Sequence, residues 1–303
     1  MTDLNYKTLI TELKKMQIGI IEENVSLKKY TTYSFSNTAN ILVNPLNTKK
    51  LIKLLKYLKK INIKYKIIGG GSNLIFKSNY EGVLIKLDYL NELNMKENII
   101  EVGSGYSLMK LAIKMSKLGL TGLEFATGIP GTVGGAIFNN AGAYQSDMGY
   151  IVKKITVLDS NYKIKIIENK DAKFHYRTSF FKENPNYIIL STLIELKFGD
   201  VIKIMEVIED RRIRRKETQP IDCKSAGSVF RNTLDVPAWK LIDDAHLKGK
   251  QIGGAKVSDK HANFIVNENN ATGEDVIDLI NEIKNTIKEK FDIDLILEQE
   301  IVE

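Results

Sequence analysis

Between Thr127 and Tyr144 the chain carries glycines at 128, 131, 134, 135 and 142 and no charged side chain at all. Such a density makes the backbone the working part, because glycine takes positive φ and lets N–H groups approach a flat or anionic ligand closely. A second run, Gly69-Gly70-Gly71-Ser72-Asn73, follows the apolar strand-like stretch from Tyr65 to Ile68. It lacks the Lys-Ser/Thr ending of a phosphate-binding P-loop and is not G-x-G-x-x-G, so a Rossmann nicotinamide domain is not indicated. Three glycines with a hydroxyl and an amide beside them make either an anion nest or a tight surface turn. Two cradles on one chain point to an extended ligand.

Four side chains add chemistry to the cradles. Arg177 stands between aromatic and polar residues in Phe174-His-Tyr-Arg-Thr-Ser179. A guanidinium in that setting grips a carboxylate or phosphate, or closes an internal salt bridge. His175 reads as a surface or satisfied core histidine. Ser228 follows Gly227 at the start of an apolar run, without the G-x-S-x-G elbow of a hydrolase, so a nucleophilic serine is disfavoured. In Leu297-Glu-Gln-Glu-Ile301, period-2 alternation puts Glu298 and Glu300 on one face of a strand, ordinarily the solvated one.

The elements that must position these groups are legible in the apolar spacing. Leu51, Leu54, Leu55 and Leu58 predict an amphipathic helix over 48–60. Leu108, Leu111, Ala112, Met115 and Leu118 predict another, ending at Gly119 as C-cap. Val201, Met205 and Ile208 mark a helix that runs into Arg211-Arg-Ile-Arg-Arg-Lys216, and Val276, Ile280, Ile283 and Ile287 one from Gly273 to Lys290, with Thr272 as N-cap. Strands are expected at 66–68, 83–87, 98–102, 155–158, 163–167 and 187–198, in a glycine-rich region reaching about 266, and at 293–301. The strands cluster with few helices between them, which gives α+β rather than a βαβ series. A division falls at 199/200, making domains of residues 1–199 and 200–303.

The chain has 303 residues, 43% of them apolar, which suits about two domains with real cores. Its net charge of +7 comes from lysines scattered along nearly every element. That distribution fits a solvated surface with a mild pull on small anions better than nucleic-acid binding, although the basic run at 211–216 keeps the latter as a rival. Cys223 is the single cysteine, so no internal disulfide forms, metal ligation is not expected, and reducing cytoplasm fits. The stretch from Met1 to Gln17 reads as a short amphipathic helix rather than a signal peptide, and no apolar run suits a membrane span.

Taken in order, Tyr30-Thr-Thr-Tyr33, Gly69 to Asn73, Gly128-Ile-Pro-Gly-Thr-Val-Gly-Gly135, Asn140-Ala-Gly-Ala-Tyr144, Tyr176-Arg177, Gly227-Ser-Val-Phe-Arg-Asn232, Leu241-Ile-Asp-Asp244, Gly253 to Ser258, His261-Ala-Asn-Phe-Ile-Val266 and Leu297-Glu-Gln-Glu300 resemble the UDP-N-acetylenolpyruvoylglucosamine reductases, the MurB family, in its more compact type. The resemblance implies an FAD-binding domain of the vanillyl-alcohol-oxidase (PCMH) type, followed by a smaller α+β substrate-binding domain. It implies FAD along Gly69, Gly70, Gly71, Ser72 and Asn73 and along Gly128, Gly131, Gly134, Gly135, Ala136, Asn140, Gly142 and Ala143, with NADPH as co-substrate. The substrate implied is UDP-N-acetylglucosamine enolpyruvate. By the same matching Ser228 is the proton donor to its C2, Arg177 and Glu300 stabilise the carboxylate on which charge develops, and Asn232 touches the diphosphate. Another FAD oxidoreductase or oxidase on the same scaffold is the alternative. Two departures stand out: Ser34-Phe-Ser-Asn-Thr38 replaces a glycine pair and proline common in relatives, and Thr233 stands where proline is common after Asn232.

Overall fold

In the computed structural model, which describes residues 3–303 with side chains from residue 6 onward, the leucines at 51, 54, 55 and 58 are all buried along the helix Thr48–Lys60. Asn47 caps that helix by accepting the Lys50 N–H at 3.0 Å. The expected N-terminal helix is Asp3–Lys15, burying Leu9, Ile10 and Leu13; Met1 and Thr2 lie outside the described residues. The helix Leu108–Lys117 ends as its spacing predicts, with Gly119 at φ +74°.

By packing, the described chain forms two units. The first takes residues through Glu23, Ile41–Gly70 and Gly82–Arg212; the second takes Asn24–Asn40, Gly71–Glu81 and Ile213–Glu303. The sequence analysis expects a domain division at 199/200, whereas packing passes the chain between units at 212/213, inside the helix Val201–Thr218, and recruits two early segments into the second unit. Those segments bring Tyr33, Phe35 and Ile75, which are fully buried in the core of the second unit.

The first unit has two apolar clusters. One packs Leu51, Leu54, Leu55 and Leu58 with Val83, Ile85 and the N-terminal helix, over strands Tyr65–Ile68 and Tyr80–Lys86, which pair in parallel from Tyr65↔Val83. The other lies under a five-stranded antiparallel sheet in the order Ile164–Glu168, Val152–Leu158, Ile188–Glu195, Ile99–Gly103, Leu93–Lys96. Four of its five strands match the clustered strand signals; Leu93–Lys96 is not among those expected. The Val201–Thr218 helix departs from expectation: Val201 and Met205 are exposed and Ile204 is its buried residue.

The second unit centres on the helix Gly273–Phe291, whose Val276, Leu279, Ile280, Ile283 and Ile287 are buried. Thr272 and Asp275 form a reciprocal capping box at its start. The glycine-rich region folds as three short antiparallel strands, Gln251–Ile252, Ala255–Val257 and Ile265–Asn267. At the C-terminus only Glu300–Val302 is a strand, paired in parallel with Leu74–Phe76. The expected strand from 293 fails because residues 296–298 bond to the Ser228 segment: Ile296 O accepts from Arg231 N, and Glu298 N donates to Val229 O.

Candidate active site

In the first unit the glycines of the two cradles are pressed against each other. A Cβ on Gly70 would stand 2.7 Å from Gly131 Cα, and one on Gly69 would stand 2.7 Å from Thr132 Oγ1. No other residue permits that approach of loop to loop. Thr132 Oγ1 accepts the Gly135 N–H at 3.3 Å as N-cap of the short helix Val133–Phe138, which carries Gly134, Gly135 and Ala136. Gly134 N donates to Ser104 O at 2.8 Å, which ties the Ser104 to Ser107 turn to the same loop. At Gly135 the direction of a Cβ meets nothing but Thr132 Oγ1, at 3.5 Å, so the backbone is open at that position. Gly142 and Ala143 form a two-residue strand against Ser146–Asp147. Gly128 follows the turn Glu124–Ala126.

Asn140, expected as a cofactor contact, spends its hydrogen bonds inside the protein. Its N–H goes to Ile137 O at 3.1 Å, its Nδ2 donates to His175 O at 2.9 Å, and its Oδ1 accepts from Gly149 N at 2.9 Å. The same bonds explain its burial, at 1% exposure.

Arg177 sits at the tip of a tight turn in the first unit. His175 and Thr178 exchange both backbone hydrogen bonds at 3.1 Å, and Arg177 takes φ +56°. Its guanidinium lies 5.2 Å from the centroid of the Tyr176 ring, within reach of a cation–π contact. Lys182 Nζ donates to Asn139 Oδ1 at 2.9 Å and to Arg177 O at 3.5 Å, and Ser179 Oγ donates to Phe138 O at 2.7 Å. His175 contributes backbone groups only to this arrangement.

Ser228, Asn232 and Glu300 belong to the second unit, together with Gly71, Ser72 and Asn73. Here the structure brings the Ser228 and Glu300 segments together through a residue whose role the sequence did not disclose. Gln299, 4% exposed, donates its Nε2 to Ala226 O at 3.2 Å, Gly227 O at 3.1 Å and Ser228 O at 3.5 Å. Its Oε1 accepts from Tyr33 OH at 3.0 Å. Burial pushes the Tyr33 hydroxyl's pKa far up, so it stays a donor. Asn263 completes the clamp from the other side, accepting Phe230 N at 2.9 Å and donating to Phe230 O at 2.8 Å. The expected alternation along one strand over 297–301 does not form, since the strand begins at Glu300; instead the amide of Gln299 is buried between Glu298 and Glu300, which are half-buried rather than fully solvated.

Asn73 contributes through its own partners: its carbonyl accepts Glu300 N at 2.9 Å and its Nδ2 donates to Glu298 O at 3.1 Å. Gly71 is at φ +65° with Tyr30 O where a Cβ would go, so glycine is obligatory there. Gly227, at φ +76°, has no heavy atom within 4 Å of the Cβ direction, which leaves space open beside Ser228. Asn232 Oδ1 accepts Ala238 N at 3.1 Å, and Thr233 Oγ1 both donates to Val236 O and accepts Val236 N, at 2.7 and 3.0 Å. The hydroxyl thus closes the turn that a proline would have stiffened. At the other departure, Ser34 holds φ +59°, a glycine-like conformation, and donates its hydroxyl to Lys28 O at 3.3 Å.

His261 lies behind this clamp. Its Nδ1 accepts Asn263 N at 3.2 Å, and burial, aided by the Lys248 charge, holds its pKa below the ordinary 6.5. No cluster of three or more metal-ligating side chains occurs among the described residues. No described helix is long and apolar enough to cross a membrane.

Residues 219–302 match the C-terminal domain model of UDP-N-acetylenolpyruvoylglucosamine reductase, and residues 39–166 match a FAD binding domain model. A UDP-N-acetylenolpyruvoylglucosamine reductase of Bacillus licheniformis is 42% identical over 97% of this chain and 98% of its own. The crystal structure of the reductase from Thermus caldophilus superposes with TM-score 0.80 at 29% identity, over 94% of this chain and 99% of that one. Phl p 4.0202, a glucose dehydrogenase, shares the fold of 65% of this chain, and 44% of its own, at TM-score 0.50 and 11% identity.

Proposed function

This chain belongs to the UDP-N-acetylenolpyruvoylglucosamine reductase family, and from that membership we propose that it reduces UDP-N-acetylglucosamine enolpyruvate to UDP-N-acetylmuramate with NADPH, as a cytoplasmic step of peptidoglycan precursor synthesis. Residues 1–199 serve FAD and residues 200–303 serve the substrate. The loops of the first unit fit FAD: neutral, glycine-rich backbone at 128–143 with an open face at Gly135 accepts a flat ring without a side chain to displace. When bound, FAD accepts hydride from NADPH and supplies it to C3 of the enolpyruvyl group.

The remaining work falls to the chain's own side chains. Hydride addition leaves C2 electron-rich and conjugated with the substrate carboxylate, so negative charge grows on the carboxylate oxygens. Arg177 stabilises that charge with a fixed cation, and Glu300 offers a hydrogen bond. Ser228 Oγ–H gives its proton to C2; a serine is a weak acid, but a carbanion is a strong enough base for an oriented hydroxyl to suffice. Asn232 contacts the diphosphate.

One observation carries this reading: Ser228 follows a glycine whose side is open, while a buried glutamine holds its backbone and joins it to the Glu300 segment. A structural serine needs neither. In the Ser228→Ala variant, NADPH is expected to bleach the flavin at the parent rate while substrate no longer restores its colour. Equal loss of both half-reactions would remove Ser228 from the proton-donor role.

A further inference from the structure

A non-glycine residue at positive φ costs roughly 1–3 kcal/mol and persists only where its surroundings over-determine it. Arg177, at φ +56°, is such a residue, and its surroundings are specific. The turn that carries it is fastened to residues 138–140 of the long glycine segment by three side-chain bonds. Ser179 Oγ reaches Phe138 O at 2.7 Å, Asn140 Nδ2 reaches His175 O at 2.9 Å, and Lys182 Nζ reaches both Asn139 Oδ1 at 2.9 Å and Arg177 O at 3.5 Å. Lys182 alone of the three binds both partners, the glycine segment and the strained residue itself.

We infer that Lys182 is a positioning residue for the reduction of substrate, acting through Arg177: its ammonium holds the Arg177 carbonyl, and so fixes where the guanidinium points relative to the segment assigned to the flavin. Asn140 supports the same turn from beneath. The inference rests on the reading of Arg177 as the group that stabilises charge on the substrate carboxylate. Lys182 makes no contact with the reacting atoms in this account. Loss of the ammonium lets the turn relax toward ordinary backbone angles, and a guanidinium displaced by about 1 Å costs on the order of a hundredfold in a step that depends on its placement.

The test uses the holoenzyme in a double-mutant cycle with Lys182→Met, Arg177→Ala and the pair, with Lys182→Gln as the alternative should the methionine variant not fold. Flavin-to-protein absorbance ratio and bleaching by NADPH are read first, then return of flavin colour on adding substrate. The expected result is parent-like flavin content and bleaching, a loss of about tenfold or more in colour return for the lysine variant, recovery of part of that loss in Lys182→Arg, and less than about twofold further loss when Lys182→Met is added to Arg177→Ala. A merely structural lysine would lower flavin content or bleaching and add its full factor in the Arg177→Ala background. If colour return in Arg177→Ala matches the parent, the role given to Arg177 is wrong and the inference fails with it. If Arg177→Ala is slow but Lys182→Met keeps the parent rate, or its effect is fully additive, the inference alone is wrong.

Discussion

At the scale of single residues, the candidate site depends on amides as much as on the groups assigned to chemistry. Gln299 makes its hydrogen bonds from a buried position, to the carbonyls of residues 226–228 and to the Tyr33 hydroxyl. Replacing it with leucine would orphan those groups at about 1–3 kcal/mol, so Gln299→Leu is expected to lower the thermal midpoint and to slow colour return by substrate more than bleaching by NADPH. Stopped-flow traces of the two half-reactions check this. The sequence predicts a strand with Glu298 and Glu300 on one face, yet an uncharged amide between two carboxylates carries no period or charge signal of its own, and only packing reveals that it is the buried one. Arg177, Ser228 and Glu300 were conspicuous by type; Lys182, one lysine among many, was not.

His261 supplies a pH dependence at the same scale. Burial first, and the Lys248 charge second, keep its native pKa below 6.5. Between the native pKa and 6.5 the unfolded chain therefore binds more protons than the native one, so stability is fully present above the ordinary histidine range and is lost as pH falls through it. Protonation would also remove the Nδ1 acceptor that holds Asn263 N. The thermal midpoint is expected to fall between pH 7.5 and pH 5 more in the parent than in His261→Gln. Parallel curves for the two proteins would contradict this assignment.

Elements are legible in the sequence wherever one side of a helix is apolar and obscure wherever backbone partners come from afar. The Thr48–Lys60 and Gly273–Phe291 helices appear with the buried faces their spacing predicts. Removing the cap of the second, in Thr272→Ala, is expected to destabilise the protein by about 1 kcal/mol, with urea unfolding as the measure. The final segment misled because 293–299 has strand-like composition, while its backbone bonds go to the Ser228 segment, more than sixty residues earlier. The glycine cradles were legible as loops, but the reason for Gly70 was not: it is the approach of Gly131, at 2.7 Å from an imagined Cβ. Gly70→Ala is accordingly expected to push the two loops apart and yield protein with much reduced flavin content, read from the absorbance of the purified sample.

For the whole molecule, the packing units are not successive stretches of chain. The second unit needs Tyr33, Phe35 and Ile75 from segments that precede its main part by well over a hundred residues, so a fragment of residues 213–303 lacks buried aromatic side chains that its core requires. Sequence periodicity finds elements but not which of them share a core, which is why the expected division at 199/200 differs from the packing division at 212/213. The account as a whole depends on a bound flavin that passes reducing power from NADPH to an enolpyruvyl substrate. Its most direct test is a single anaerobic titration of purified protein: NADPH is expected to bleach the flavin absorbance, and UDP-N-acetylglucosamine enolpyruvate then to restore it in proportion to the amount added. A colourless protein, or a bleached one that recovers with oxygen but not with that substrate, would contradict it.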